Sequence, residues 1–238
     1  MRAQGNTEGI VIAIDGPSGS GKSSTARGVA RSRGLRYLDT GAMYRAVTWW
    51  MLDRNVDVGD TAAVAERAWL PELDMGTDPA SPAVRVDGAD VAHAIRSPEV
   101  TARVSAVSAV PAVRERLVSQ QRDLIAEAQR AVGGIVVEGR DITTVVAPDA
   151  AVKIYLTASA EARAQRRGNE TQAQDLAATQ AELLQRDLLD SNRADSPLTR
   201  TEDALELETS GFTLDEVIAI VVGLADEATG ERQHSSTL

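Results

Sequence analysis

The chain has 238 residues, of which 43% are hydrophobic, and a net charge of −10 from 25 basic and 35 acidic residues, with no cysteine. This length suits one α/β domain with insertions, and the lack of cysteine excludes disulfide frameworks and thiolate metal sites. Acidic excess, no cluster of five basic residues and only 3% aromatics argue against nucleic acid or an anionic membrane as the main partner.

In chain order, Ile10–Asp15 is a short β-branched run that reads as a buried parallel strand. A helix follows from Lys22 to about Ser32, with Gly34 as the residue that ends it. Arg36–Leu38 offers a second strand, and Gly41 to Asn55 has helical spacing through Tyr44, Val47, Trp50 and Met51. From Asp57 to Val100 the character changes. Prolines stand at 71, 79, 82 and 98, and Ala83–Asp87 alternates, turns at Asp87-Gly88 and returns through Asp90–Ala92. This predicts a small β-containing insertion. Pro98 to Ala131 reads as helical with an interruption near Pro111, and Ile135–Glu138 and Ala151–Leu156 as core strands. A charged helix spans Ala160 to Asp190 with a soft spot at Gly168-Asn169, Ala204–Leu207 gives a fifth strand, and Thr213 caps a last amphipathic helix with Glu216 in the capping box. The tail from Thr229 is polar and expected to fray. Alternating strands and helices predict a parallel sheet covered on both faces. The polar residues before Gly9 carry no secretory signal and no run reaches membrane-spanning length, so a cytoplasmic location is expected.

Gly16–Thr25, GPSGSGKSST, carries the pattern Gly16-x4-Gly21-Lys22-Ser23 between a strand and a helix. Glycines let backbone N–H groups converge on phosphate oxygens, and the helix N-terminus adds its dipole. Lys22 then reaches the β- and γ-phosphates, and the Ser23 hydroxyl serves Mg²⁺. GTPases, motor ATPases and small-molecule kinases share such a loop. No guanine-reading Asn-Lys-x-Asp stretch occurs, and no apolar run ends in Asp-Glu.

The discriminating segments are LDTGAMYRA (38–46), EGRD (138–141), RDLLDSNRADSPL (186–198) and ALELETSGFTLDEV (204–217). With IAIDGPSGSGKSS, they resemble the bacterial cytidylate kinase family over nearly the whole chain. The resemblance implies an α/β P-loop kinase with a five-stranded parallel sheet flanked by helices. The core would comprise about 9–40, 101–158 and 200–228, the monophosphate-binding region with its β-containing insertion about 41–100, and a helical lid about 159–199, before a tail of 229–238. The implied reaction is phosphoryl transfer from ATP to CMP or dCMP, with Mg²⁺, in a monomer.

By position, the resemblance makes Gly16, Pro17, Ser18, Gly19, Ser20, Gly21, Lys22, Ser23 and Ser24 the ATP loop. Arg45 and Arg140 would grip the acceptor α-phosphate, with Thr40 beside them. Ser105, Arg114 and Asp141 would read cytosine, Arg186 and Asp190 would face the ribose, and Arg193 would bridge the transferring phosphate. Lys22, Arg140, Arg186 and Arg193 form the implied catalytic set, with Arg163 and Arg167 as lid candidates. Many relatives have Asp where Glu138 stands, which leaves its role open.

Plainer readings compete. Arg45 is also readable as a surface helix residue, Arg114 and Arg116 as a solvated helix face, Asp141 as a cap for a helix starting at Ile142, and Asp190 with Arg193 as a surface pair. Trp49 and Trp50 read as core packing rather than base stacking, and His93 and His234 lack partners at metal spacing. Two other functions remain open: a P-loop kinase for UMP or a small metabolite, and a non-catalytic ATP-binding module. Five phosphate-suited cations, Lys22, Arg45, Arg140, Arg186 and Arg193, weigh against the last.

Overall fold

The computed structural model describes residues 9–173 and 175–230. Residues 1–8, Gln174, His234 and the rest of the tail from 231 lie outside the described residues.

The first strand, β1 (Ile10–Asp15), leads into α1 (Lys22–Arg33), which Gly34 ends in the left-handed conformation at φ 64. Strand β2 (Arg36–Asp39) runs directly into α2 (Thr40–Asp53), capped by the Asp39 carboxylate on the Ala42 N–H. Later come α4 (Pro98–Ser108) and α5 (Pro111–Val132), each with proline in its first turn, following α3 (Thr61–Arg67) in the insertion. The helical span is interrupted at residues 109–110, near Pro111 as expected, and Pro111 opens the second helix because proline in the first turn forfeits no intrahelical bond. Strand β6 (Gly134–Gly139) follows, with β1 on one side and β2 on the other.

Numbering the insertion strands β3 (Leu73–Met75), β4 (Val84–Val86) and β5 (Ala89–Asp90), the remaining elements are β7 (Val152–Thr157), α6 (Ala160–Thr171), α7 (Leu176–Ser191), β8 (Leu205–Glu208) and α8 (Leu214–Thr229). The main sheet is parallel in the order β2-β6-β1-β7-β8. In β1, Val11 and Ala13 join one core with α2 and α5, while Ile12 and Ile14 join a second core with α1 and α8. That two-sided burial explains the unbroken apolar run. Thr213 and Glu216 form the expected capping box, and α8 continues through Thr229 to Gly230.

The insertion is a three-stranded antiparallel sheet, β3-β4-β5. Asp87 (φ 50) and Gly88 (φ 80) make its expected hairpin turn. The strand Leu73–Met75 was not expected, and the returning strand is Ala89–Asp90 rather than 90–92. The insertion is pinned to the core. Trp50 Nε1 donates to Asp87 Oδ2 at 2.7 Å, Arg27 and Arg31 each donate to the Pro79 carbonyl at 3.2 Å, and Arg116 donates to the carbonyls of Ala68 and Pro71. Arg116 is thus buried, contrary to a solvated helix face. Trp50 is core, as its periodicity implies, and Trp49 packs against that core.

The helical span 160–190 is two helices, the first ending at Thr171 and the second starting at Leu176, and it does not break at Gly168-Asn169. Gly168 stays helical because α7 packs onto it: a Cβ there would lie 2.6 Å from Leu176 Cδ2. After β6, a single wide helical turn at Ile142–Val146 is tied to the end of β1. The fully buried Asp15 carboxylate accepts from Ile142 N at 3.0 Å, Thr143 N at 2.8 Å and Thr143 Oγ1 at 2.7 Å. Asp15, not Asp141, therefore satisfies the start of that turn. Replacing Asp15 by Ala strands three buried donors, and thermal denaturation should show a loss of about 3 kcal/mol, or about 10 °C in midpoint. An unchanged midpoint would contradict this role.

Candidate active site

The loop between β1 and α1 needs its glycines where the chain turns. Gly16, Gly19 and Gly21 have φ of 147, 77 and 95. At Gly16 a Cβ would stand 2.0 Å from the Leu156 carbonyl oxygen, so the neighbouring strand enforces glycine. Helix α1 starts at Lys22 with no acidic residue in its first turn and no side-chain cap. Its leading N–H groups and dipole are left for an anion. Lys22 is buried and donates from Nζ to the Pro17 carbonyl at 2.8 Å, inside the loop it serves.

Burial holds the Lys22 pKa below the ordinary lysine value, with Arg140 pushing the same way and Glu138 opposing. Glu138, at the end of β6, is pushed up by burial and by Asp39. Its carboxylate accepts from the Tyr37 hydroxyl at 2.5 Å, and the Ser23 hydroxyl stands against it. Ser23, Asp39 and Glu138 all face one cleft, a hydroxyl and two carboxylates suited to a hard divalent cation and its water.

The cleft, of about 450 Å³, lies between the phosphate loop, α2, α4 and α7. Ser18, Gly19, Gly21, Lys22, Ser23 and Ser24 line its loop side. Thr40, Arg45, Ser105, Arg140, Asp141, Arg167, Arg186, Asp190 and Arg193 line the remainder. Of the expected site residues, Gly16, Pro17, Ser20, Arg114 and Arg163 stand behind this wall.

Arg45 is buried, not a surface residue. It donates to the Ile95 carbonyl at 3.1 Å and Thr101 Oγ1 at 2.9 Å, and burial followed by repulsion from Arg186 lowers its pKa to about 9. Thr40 Oγ1 donates to the Glu138 carbonyl at 2.7 Å, joining α2 to β6. Arg114 forms a buried ion pair with Asp141, donates to the Ser108 carbonyl at 3.3 Å, and lies 5.5 Å from the Tyr44 ring centre. Burial raises the Asp141 pKa, and Arg114 opposes that rise. Ser105 sits in the last turn of α4, and its carbonyl accepts from Ser108 Oγ.

Arg140 is held on three sides. It donates from Nε to Asp190 Oδ2 at 2.9 Å, from Nη1 to the Gly16 carbonyl at 3.0 Å and from Nη2 to Ser18 Oγ at 2.7 Å. Asp190 therefore pairs with Arg140, while Arg193 reaches only the Asp190 carbonyl, at 3.3 Å. Arg186 is different. Its Nε is buried with no hydrogen-bond partner among the described residues, as is Arg193 Nη2. Desolvation and then Arg140 lower the Arg186 pKa to about 10. Arg186 and Arg193 thus line the cleft with guanidinium groups that the described residues only partly pair, a charge arrangement suited to anions.

On α6, Arg167 pairs with Glu170 at 3.2 Å and lines the cleft. Arg163 instead pairs with Asp187 and donates to the Ser18 carbonyl at 3.1 Å. Arg166 binds the Thr209 hydroxyl at 3.0 Å, the Thr209 carbonyl at 2.7 Å and the Ser20 carbonyl at 3.2 Å. Sequence reasoning passed over Asp15, Asp187, Arg166 and Thr209. Only Asp187 had a signal, its place directly after Arg186 in the same charged segment.

Residues 12–227 match the family model described as cytidylate kinase. The chain belongs to the cytidylate kinase family. Curated relatives named cytidylate kinase include one from Streptomyces avermitilis, 55% identical over 92% of this chain and 93% of its own, and one from Rhodococcus opacus (strain B4), 52% identical over 96% of this chain and 100% of its own. A solved structure of an uncharacterized protein from Eubacterium ventriosum ATCC 27560 shares the fold alone, at 11% identity and a TM-score of 0.50, covering 92% of this chain and 98% of that one. Family membership favours an enzyme over the non-catalytic binding module. No described helix is long and apolar enough to cross a membrane.

The depressed Lys22 pKa gives this cytidylate kinase family member a proton signature. Burial makes the amine shed its proton at a pH where an exposed lysine keeps it, and a triphosphate bound beside it would draw the proton back. ATP binding in the absence of Mg²⁺ should therefore take up protons above neutral pH. Calorimetric titration in buffers of different ionisation enthalpy measures this, and proton release across that range would contradict it.

Proposed function

We propose that the protein transfers the γ-phosphoryl group of ATP to the α-phosphate of CMP or dCMP, yielding ADP and CDP or dCDP. One observation carries this reading: the phosphate loop with Lys22 and a second set of cations, Arg45, Arg186 and Arg193, line one cleft, with Asp141 on its acceptor side backed by Arg114. A binder of ATP alone has no use for the second set.

An acceptor phosphate oxygen attacks the γ-phosphorus in line as the bond to the ADP oxygen breaks. The acceptor is already anionic, so no general base is required. Charge spreads over the transferring oxygens, and fixed cations stabilise it without reorganising. Lys22 and the loop N–H groups hold the donor. Arg45 and Arg186 hold the acceptor phosphate, Asp190 faces the ribose, and Arg193 spans the transferring group. Arg140 reaches the acceptor by exchanging its Gly16 or Ser18 contact, so its assignment depends on that exchange. Ser23 would ligate Mg²⁺, with Glu138 and Asp39 taking its water ligands, and the ion would neutralise the β- and γ-oxygens. Cytosine offers an N4 amino donor, suited to Asp141, and an O2/N3 edge suited to Arg114 and Ser105. UMP presents O4 to the carboxylate and is disfavoured.

Residues of about 159–199 act as the lid and about 41–100 as the monophosphate region, which together exclude water. The protein acts as a cytoplasmic monomer in pyrimidine nucleotide metabolism. Incubation with Mg-ATP and a panel of monophosphates tests the reading. CMP and dCMP should react fastest, and Lys22→Ala should lower kcat by about 100-fold or more. Faster turnover of AMP or GMP would overturn the acceptor assignment, and absence of transfer to any acceptor would overturn the reaction.

A further inference from the structure

Ser18, at the outer bend of the phosphate loop, is held by three separate elements. Its N–H donates to Asp187 Oδ1 on α7 at 2.9 Å. Its carbonyl accepts from Arg163 Nη1 on α6 at 3.1 Å. Its hydroxyl accepts from Arg140 Nη2 at the end of β6, at 2.7 Å. Asp187 and Arg163 also form an ion pair with each other, largely shielded from water at side-chain exposures of 15% and 8%. The backbone of α6 backs onto the next residue: a Cβ on Gly19 would lie 3.1 Å from both the Arg163 carbonyl oxygen and Arg163 Cβ. Both lid helices thus rest on the backbone of one residue of the loop.

A carboxylate here needs explanation. The loop gathers positive potential for a triphosphate, and an uncompensated negative charge beside it opposes that ligand. Arg163 supplies the compensation. Its guanidinium faces Asp187 and the Ser18 carbonyl and does not line the cleft. Its Nη1 is taken by Asp187 and Ser18, its buried Nε has no partner among the described residues, and its place behind the cleft is that of a neutralising strut.

We propose that Asp187 is a positioning residue, which ties the lid to the phosphate loop through the Ser18 peptide, and that Arg163 neutralises it instead of binding the triphosphate. The proposal rests on the reading of residues 16–24 as the ATP loop. Lid docking and loop shape become one element, because an α6–α7 displacement removes partners from both polar atoms of the Ser18 backbone. A charge-assisted hydrogen bond to a peptide N–H is directional, so the carboxylate fixes the peptide plane as well as the distance.

The test is steady-state kinetics with Mg-ATP and CMP on four variants: Asp187→Asn, Asp187→Ala, Arg163→Met and the double variant Arg163→Met/Asp187→Asn. Asp187→Ala should raise the KM for ATP about tenfold and leave the KM for CMP within about twofold. Asp187→Asn keeps an oxygen for the Ser18 N–H and should fall between wild type and Asp187→Ala. Arg163→Met leaves the carboxylate uncompensated and should raise the ATP KM by about tenfold or more. Adding Asp187→Asn to it should recover most of that loss, because the offending charge is gone. A double variant no better than Arg163→Met would overturn the proposal, since Arg163 would then act on the nucleotide directly. An ATP KM unaffected by Asp187→Ala would overturn it as well. If either alanine or methionine variant fails to fold, amide exchange in the wild-type protein decides: a Ser18 N–H protected without nucleotide supports the contact, and free exchange overturns it. Lys22→Ala separates the two readings, because full activity in that variant would sink the ATP-loop assignment itself.

Discussion

A buried cation is tolerable only with something negative or carbonyl-like against it, and this protein gathers Lys22, Arg45, Arg114, Arg140, Arg163, Arg186 and Arg193 about one cleft. The chain answers with carboxylates placed one to one. Arg114 has Asp141, Arg140 has Asp190 and Arg163 has Asp187. Arg45 leans on a carbonyl and a hydroxyl. Arg114, Arg163 and Arg186 each keep a buried Nε that no described residue accepts from, and Arg193 a similar Nη2. Arg140, Arg186 and Arg193 line the cleft, and Arg114 and Arg163 stand behind it. An acidic chain with a net charge of −10 can hold such a site because its positive charge is local and its surface is not.

The sheet makes this possible by bringing distant segments to one edge. The carboxyl ends of β1, β2 and β6 deliver the phosphate loop, Asp39 and Glu138 side by side. Asp15 then stitches β1 to the turn after β6, so that Arg140 and Asp141 stand at a fixed distance from the loop. The insertion attaches through Arg27, Arg31 and Arg116 to rigid helices, which makes it part of the wall behind α2.

Signals that act over a few residues were legible in the sequence. The glycine loop, the Gly34 stop, the Asp87-Gly88 hairpin and the Thr213–Glu216 capping box each depend on neighbours within the same turn. Features decided by remote partners were not. Periodicity alone makes Arg116 a solvated residue, yet its carbonyl partners lie more than forty positions earlier, at Ala68 and Pro71. Asp141 has the position of a helix cap, but Asp15, arriving from another strand, takes those N–H groups. A glycine in a charged helix reads as a weak point, but Gly168 is where Leu176 packs. The three-residue strand at Leu73 is too short to show a period. For the site, family resemblance named most of the lining residues. It did not reveal that Arg163 turns toward Asp187 and Ser18, which only packing decides.

The central claim is that donor and acceptor phosphates occupy one continuous, cation-lined cleft. Binding of a single molecule in which adenosine and cytidine are joined by five phosphates tests it most directly, measured by calorimetry beside ATP and CMP alone. The account predicts affinity at least about 100-fold above that of ATP, because the second half binds at the effective concentration the tether sets. Affinity no greater than that of ATP would contradict it, since the two halves would then lack a common site.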